Sequence, residues 1–137
     1  MASNVFTISD LSFSYGRKRV FTNLSLDLHE GVVTTLIGAN GAGKSTLFNL
    51  MTKNLKPQAG SVFLRGGAVG MLRSREFAKW VAIVHQHNMT PTGLSVEKLV
   101  GYGRFPYCVM GCCSDVDEDE RMVRWALETT GLSDVAE

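Results

Sequence analysis

The sequence has no long apolar run, no export-type opening and no paired-cysteine framework, and each absence removes a class of protein. Nowhere in its 137 residues do apolar side chains run unbroken for the roughly 18 positions that a membrane-spanning helix requires. The opening Met-Ala-Ser-Asn-Val-Phe-Thr lacks the basic start and apolar centre of a secretory signal, so a cytosolic chain is expected. The only cysteines are Cys108, Cys112 and Cys113. An odd count without an export signal argues against a disulfide scaffold, and C-x-x-x-C-C contains no zinc-type C-x-x-C pair. Three free thiols are the expectation. There is no internal repeat and no low-complexity linker. An excess of one charge is missing too: net charge is +1, so nothing global points to nucleic acid.

What charge there is falls unevenly. Up to Ser114 the balance is +7, and from Asp115 onward it is −6. The first part thus carries a positive field suited to an anionic ligand. The acidic stretch reads as a helix start. Asp115 and Glu118 make an Asx-type capping box, and Asp117, Glu118, Asp119 and Glu120 place negative charge where the helix dipole favours it. Met122, Val123, Ala126 and Leu127 give that helix an apolar face, and Gly131 stands where a glycine ends one.

Earlier in the chain the periodicity is that of strands. Leu11, Phe13 and Tyr15 alternate with Ser12 and Ser14, and Leu24, Leu26 and Leu28 alternate with Ser25 and Asp27. With the polar turn Tyr15-Gly16-Arg17-Lys18-Arg19 between them, two antiparallel strands are predicted. Val32–Ile37 and Val81–Val84 are apolar and β-branched without alternation, which predicts strands buried on both faces. Leu47, Leu50 and Met51 recur at helical spacing, predicting a helix that ends near Leu55-Lys56-Pro57. A short strand over Ser61–Leu64, a short helix over Ser74–Lys79 and a helix from Val96 capped by Ser95 complete the expected elements.

Between the Val32 segment and the Leu47 helix lies Gly38-Ala39-Asn40-Gly41-Ala42-Gly43-Lys44-Ser45, which matches G-x-x-x-x-G-K-[ST]. The residue types follow from the chemistry of polyphosphate binding. Consecutive backbone N–H groups can converge on phosphate oxygens only if the chain wraps tightly, and glycines permit that wrap. The following helix adds its positive dipole end. Lys44 can reach the β- and γ-phosphates, the Ser45 hydroxyl can ligate Mg²⁺, and Thr46 can contact the α-phosphate side. No Asn-Lys-x-Asp base-reading motif of a GTPase is present.

The surroundings of this loop resemble the ATP-binding cassette (ABC) ATPases. Phe13-Ser-Tyr-Gly16 is similar to that family's adenine-stacking loop, with Tyr15 as the ring. Asn23-Leu-Ser-Leu, Gly31 and Leu36 through Leu47 follow the cassette pattern, and Val84-His-Gln86 is similar to the Q-loop. By that resemblance Gln86 completes the Mg²⁺ shell and senses a transmembrane partner. His85 departs from the proline that family members often carry before the glutamine. Leu94 to Val100 followed by Gly103-Arg104-Phe-Pro106-Tyr107 is similar to the importer ATPases for iron–siderophore, haem and cobalamin. The likeness runs from about Val5 to Val135.

The resemblance implies an α/β fold: a P-loop NTPase core of ABC type, with an N-terminal antiparallel β-subdomain and P-loop over about 1–87. The start of a helical subdomain would occupy about 88–137. It further implies ATP and Mg²⁺ as ligands, transmembrane permease subunits and a second ATPase subunit as partners, and a place at the cytoplasmic face of the membrane. The family's signature, its apolar strand ending in Asp-Glu and its switch histidine have no counterpart here, so the chain is expected to be the N-terminal portion of a cassette. Lys44 is then the only catalytic candidate it holds. Two other readings stand beside the importer subunit: a nucleotide-binding module that does not hydrolyse, and a cassette protein serving repair or translation.

Overall fold

The computed structural model of the chain describes residues 3–85, 92–109, 112–113 and 116–135. They gather into two units, Met1–Arg73 and Ser74–Glu137. In the first, β1 (Asn4–Tyr15) and β2 (Lys18–His29) form the predicted antiparallel hairpin. β3 (Ala59–Leu64) lies on the other side of β1 and β4 (Gly67–Ala68) follows it, giving the order β2-β1-β3-β4. Every pairing in this sheet is antiparallel.

Strict alternation cannot place Ile8 and Leu11 on one face, yet both are fully buried. A bulge resolves this. Asp10 is an extra residue on β1 with φ of 49°, and its N–H donates to Ser25 Oγ at 2.9 Å. Asp tolerates that left-handed conformation better than most residues. Opposite the bulge stands Gly60, where any Cβ would run into the carbonyl oxygens of Ser9 and Asp10. Asn23, with φ of 51°, plays the matching part on β2, and its N–H is taken by Ser12 Oγ at 3.0 Å.

The helix after the glycine loop, α1 (Lys44–Met51), buries Thr46, Leu47, Leu50 and Met51. It stops four residues before the predicted Leu55. Thr52 turns its hydroxyl back to the Phe48 carbonyl at 2.8 Å, and Lys53 takes a left-handed φ of 67°, so the chain leaves the helix there. A larger correction concerns Val32–Ile37. No strand forms over this stretch, and Val33 and Ile37 are 97% and 86% exposed. A strand buried on both faces needs hydrogen-bonding neighbours, and among the described residues none pairs with this segment.

The second unit holds α2 (Ser74–Trp80), α3 (Val96–Gly101), a 3₁₀ turn (Tyr102–Tyr107), the short pair β5 (Cys108–Val109) and β6 (Cys112–Cys113), and α4 (Val116–Thr130). Ser95 caps α3 as expected, its hydroxyl accepting from the Lys98 N–H. α4 begins with its acidic turn; Asp115, the residue read as its cap, lies outside the described residues. At its end Gly131 has φ of 68°, and the Gly131 and Leu132 N–H groups return to the Glu128 and Leu127 carbonyls. That is the paired closure expected of a glycine stop. Two expectations fail. Residues 81–84 form no strand and Val84 is 90% exposed, for the same want of a pairing neighbour. Cys108 is disulfide-bonded, not a free thiol; the backbone brings β5 and β6 together in a way that spacing alone did not reveal.

Candidate phosphate-binding site

The glycine loop closes on itself. The Ala42 N–H returns to the Ala39 carbonyl at 3.2 Å, and Lys44 Nζ donates to the carbonyls of Gly38 at 2.7 Å and Ala39 at 2.9 Å. Residues 38–42 are exposed, while Gly43 and Lys44 are half-buried. The ladder of α1 opens with the Leu47 N–H on the Gly43 carbonyl at 2.9 Å. A helix beginning at Lys44 therefore has its first N–H groups without intrahelical acceptors. Gly43 supplies no capping side chain, and the first turn holds no acidic residue to occupy those donors. The result is an exposed glycine loop with a helix dipole behind it and an ammonium bonded back to its carbonyls.

Gly43 is the tightest point. Its φ is 99°, and a Cβ there would come within 2.8 Å of both Val20 Cγ1 and the Phe21 ring. Two adjacent residues of one strand face the same object because Val20 is an extra residue on β2: Phe13 pairs with Phe21, but Ser14 pairs with Arg19. The bulge thus fixes the glycine loop against the turn end of the β1–β2 hairpin. Periodicity did not reveal Val20 and Phe21 as walls of the site; a bulge is invisible to a period-2 pattern.

Tyr15 sits at that same end, paired with Lys18 across the hairpin. Its ring meets Phe13 edge-to-face at 5.0 Å and 87°, and half of the residue remains in solvent. A ring held at its edge and open elsewhere can stack on a planar group. Ser45 is exposed on the first turn of α1, and Thr46 is buried beneath it. Gln86 lies outside the described residues.

Among the described residues no group of three His, Cys, Asp or Glu can hold a metal ion. The exposed Ser45 hydroxyl is an oxygen donor that would join phosphate oxygens around a hard cation bound at the loop. That donor set suits Mg²⁺, which binds few protein ligands and accepts phosphate readily.

Loop, lysine and helix start together define a P-loop protein of the α/β class. The family model for the ABC transporter matches residues 21–137. The chain belongs to the ABC transporter family. Bacillus subtilis (strain 168) iron(3+)-hydroxamate import ATP-binding protein FhuC is 40% identical over 134 residues, 98% of this chain and 49% of that protein. Escherichia coli (strain K12) ferric enterobactin transport ATP-binding protein FepC is 33% identical, over 93% of this chain and 46% of that protein. The chain spans about half the length of the curated relatives it matches. The fold is shared with a solved ATP-binding subunit of an ABC transporter, at a TM-score of 0.79 and 21% identity over 96% of this chain and 52% of that one. It is shared also with cbiO1 from Clostridium perfringens, described as part of the ABC transporter complex cbiONQ. There the TM-score is 0.75 and the identity 24%, over 98% of this chain and 53% of the other. No helix among the described residues is long and apolar enough to cross a membrane.

Proposed function

We propose that this chain is the nucleotide-holding part of the ATP-binding subunit of an importer, of the iron–siderophore type. The observation that carries the reading is the glycine loop, exposed over 38–42 and leading into the start of α1, with Lys44 folded onto the Gly38 and Ala39 carbonyls. In this role Gly38, Ala39, Asn40, Gly41, Ala42 and Gly43 present backbone donors to the triphosphate. Lys44 leaves its carbonyls for the β- and γ-phosphates, and Thr46 supports the α-phosphate side. Tyr15 stacks on the adenine. Mg²⁺, when bound, neutralises phosphate charge, with Ser45 and Gln86 as the residues that hold it.

On this reading residues 1–87 form the β-subdomain with the loop, and 88–137 begin the helical subdomain. The subunit works at the cytoplasmic face of the membrane beside permease subunits and a second ATPase subunit. The 137 residues contain no apolar strand ending in Asp-Glu, so this segment alone supplies no second carboxylate for water attack. A non-hydrolysing nucleotide module is the alternative, since the loop, Lys44 and the start of α1 need no hydrolysis to hold a triphosphate.

Calorimetric titration of Mg-ATP into the full natural protein tests the reading. Binding is expected, and Lys44→Ala should weaken it about ten- to a hundredfold, the equivalent of one charge-assisted contact. No heat from the unaltered protein, or an unchanged affinity in Lys44→Ala, would refute it. Turnover in the same protein separates the importer subunit from the module.

A further inference from the structure

The tip of the β1–β2 hairpin carries three consecutive exposed cations, Arg17 in the turn and Lys18 and Arg19 at the start of β2. None forms an ion pair among the described residues. A run of like charge on a hairpin tip creates a local positive field that raises the concentration of anions around it. The acidic residues of the first unit lie elsewhere. Met1–Arg73 contains only Asp10, Asp27 and Glu30. Asp10 precedes Tyr15 by five strand positions, roughly 17 Å at the rise of a strand. Asp27 pairs with Thr7, farther along the hairpin, and Glu30 is engaged with Ser3 and Arg65 at its opposite end. With a Debye length of about 8 Å at physiological salt, none of the three screens the tip.

The glycine loop, by contrast, is close. Arg19 immediately precedes Val20, whose side chain walls Gly43. The Arg19 backbone is therefore within about one Debye length of the loop. Lys18 pairs with Tyr15, the ring proposed to stack on the base. The cationic tip and the phosphate loop thus share one end of one sheet.

We propose that Arg17, Lys18 and Arg19 form an electrostatic collar that steers the nucleoside triphosphate into the glycine loop, raising its association rate without forming part of the bound contact set. The inference rests on the nucleotide-binding reading above. It differs from that reading in what it governs. Lys44 sets how tightly the triphosphate is held, whereas the collar sets how fast it arrives and how steeply arrival depends on salt.

The test is stopped-flow binding of N-methylanthraniloyl-labelled ATP, ADP and AMP to the full natural protein and to the triple variant Arg17→Gln, Lys18→Gln, Arg19→Gln. At low salt the variant should bind the ATP probe on the order of tenfold more slowly, with an off-rate within about twofold of the parent. The deficit should shrink from ATP to ADP to AMP and vanish at high salt. A double variant that keeps the charges, Arg17→Lys with Arg19→Lys, should retain the parental on-rate. Because the tip is exposed, the thermal midpoint should not move, so a slow variant cannot be put down to misfolding. Equal on-rates in parent and triple variant would overturn the inference and leave the nucleotide reading standing. So would a loss that lies in the off-rate, or one independent of probe charge. Loss of affinity for anionic vesicles with unchanged nucleotide kinetics would overturn it in favour of a membrane contact. A parent protein that fails to bind the ATP probe would remove both readings together.

Discussion

The two units of the chain are stabilised by different physics. Among the described residues the first unit buries nine apolar side chains, including Ile8, Leu11 and Leu50, and the second buries two, Phe77 and Leu127. In place of a large core the second unit has a polar and aromatic cluster. Arg104 donates to Asp119 at 2.5 Å and lies 4.0 Å from the centre of the Tyr107 ring, while Arg75 donates to the Pro106 carbonyl at 2.7 Å. A site that must hold backbone amides in one arrangement benefits from an apolar core, because close packing resists deformation. The P-loop is attached to that kind of unit. The second unit depends on directional contacts, which lose strength quickly when one partner is displaced.

Removing apolar volume from the first unit should produce the largest effect. Leu11→Ala is expected to lower stability by about 2–5 kcal/mol, as for other large-to-small changes at fully buried sites. Hydrogen exchange under native conditions should show the loss in β1, β2 and β3. A loss below about 1 kcal/mol would mean that the core is not what holds the hairpin. Gly43→Ala should follow, at about 1–3 kcal/mol, because its new methyl meets Val20 and Phe21 in a left-handed backbone position. This substitution couples the sheet to the site. Nucleotide affinity should fall together with the thermal midpoint, and an alanine that changed neither would show that the bulge at Val20 does not brace the loop.

Local chemistry made much of this legible in the sequence. The alternation around Leu11–Tyr15 gave the hairpin, Ser95 gave the start of α3, and Gly131 gave the end of α4, since each signal lies within a few residues of its effect. The motif over Gly38–Ser45 was legible for the same reason. Non-local facts were not. Whether Val32–Ile37 becomes a strand depends on a pairing neighbour, which composition cannot supply. The bulges at Asp10, Asn23 and Val20 set which residues share a face, and no periodic pattern announces an extra residue. The disulfide at Cys108 was hidden for a related reason: the spacing of cysteines does not say which thiols the fold brings within bonding reach.

Ion pairs sharpen the comparison further, because one pair from each unit can be set side by side at different exposure. In the second unit the Arg104 and Asp119 side chains are only 17% and 15% exposed. Asp119→Asn keeps the shape and removes the charge, leaving a half-buried guanidinium with a weaker acceptor beside the more exposed Glu118 carboxylate at 4.0 Å. A loss of about 1–3 kcal/mol is expected, read as faster amide exchange in α4. In the first unit the Arg65–Glu30 pair is 43% and 49% exposed, with Ser3 Oγ donating to the same carboxylate at 2.8 Å. Water competes for both partners there, and their long side chains lose conformational freedom in meeting. Glu30→Gln should therefore move stability by no more than about 0.5 kcal/mol, and added salt should reduce even that. Denaturant midpoints of the two variants at low and high salt measure the contrast directly. If Glu30→Gln cost as much as Asp119→Asn, exposure would not be what separates these pairs, and the first unit would depend on charge where its buried residues indicate that it depends on packing.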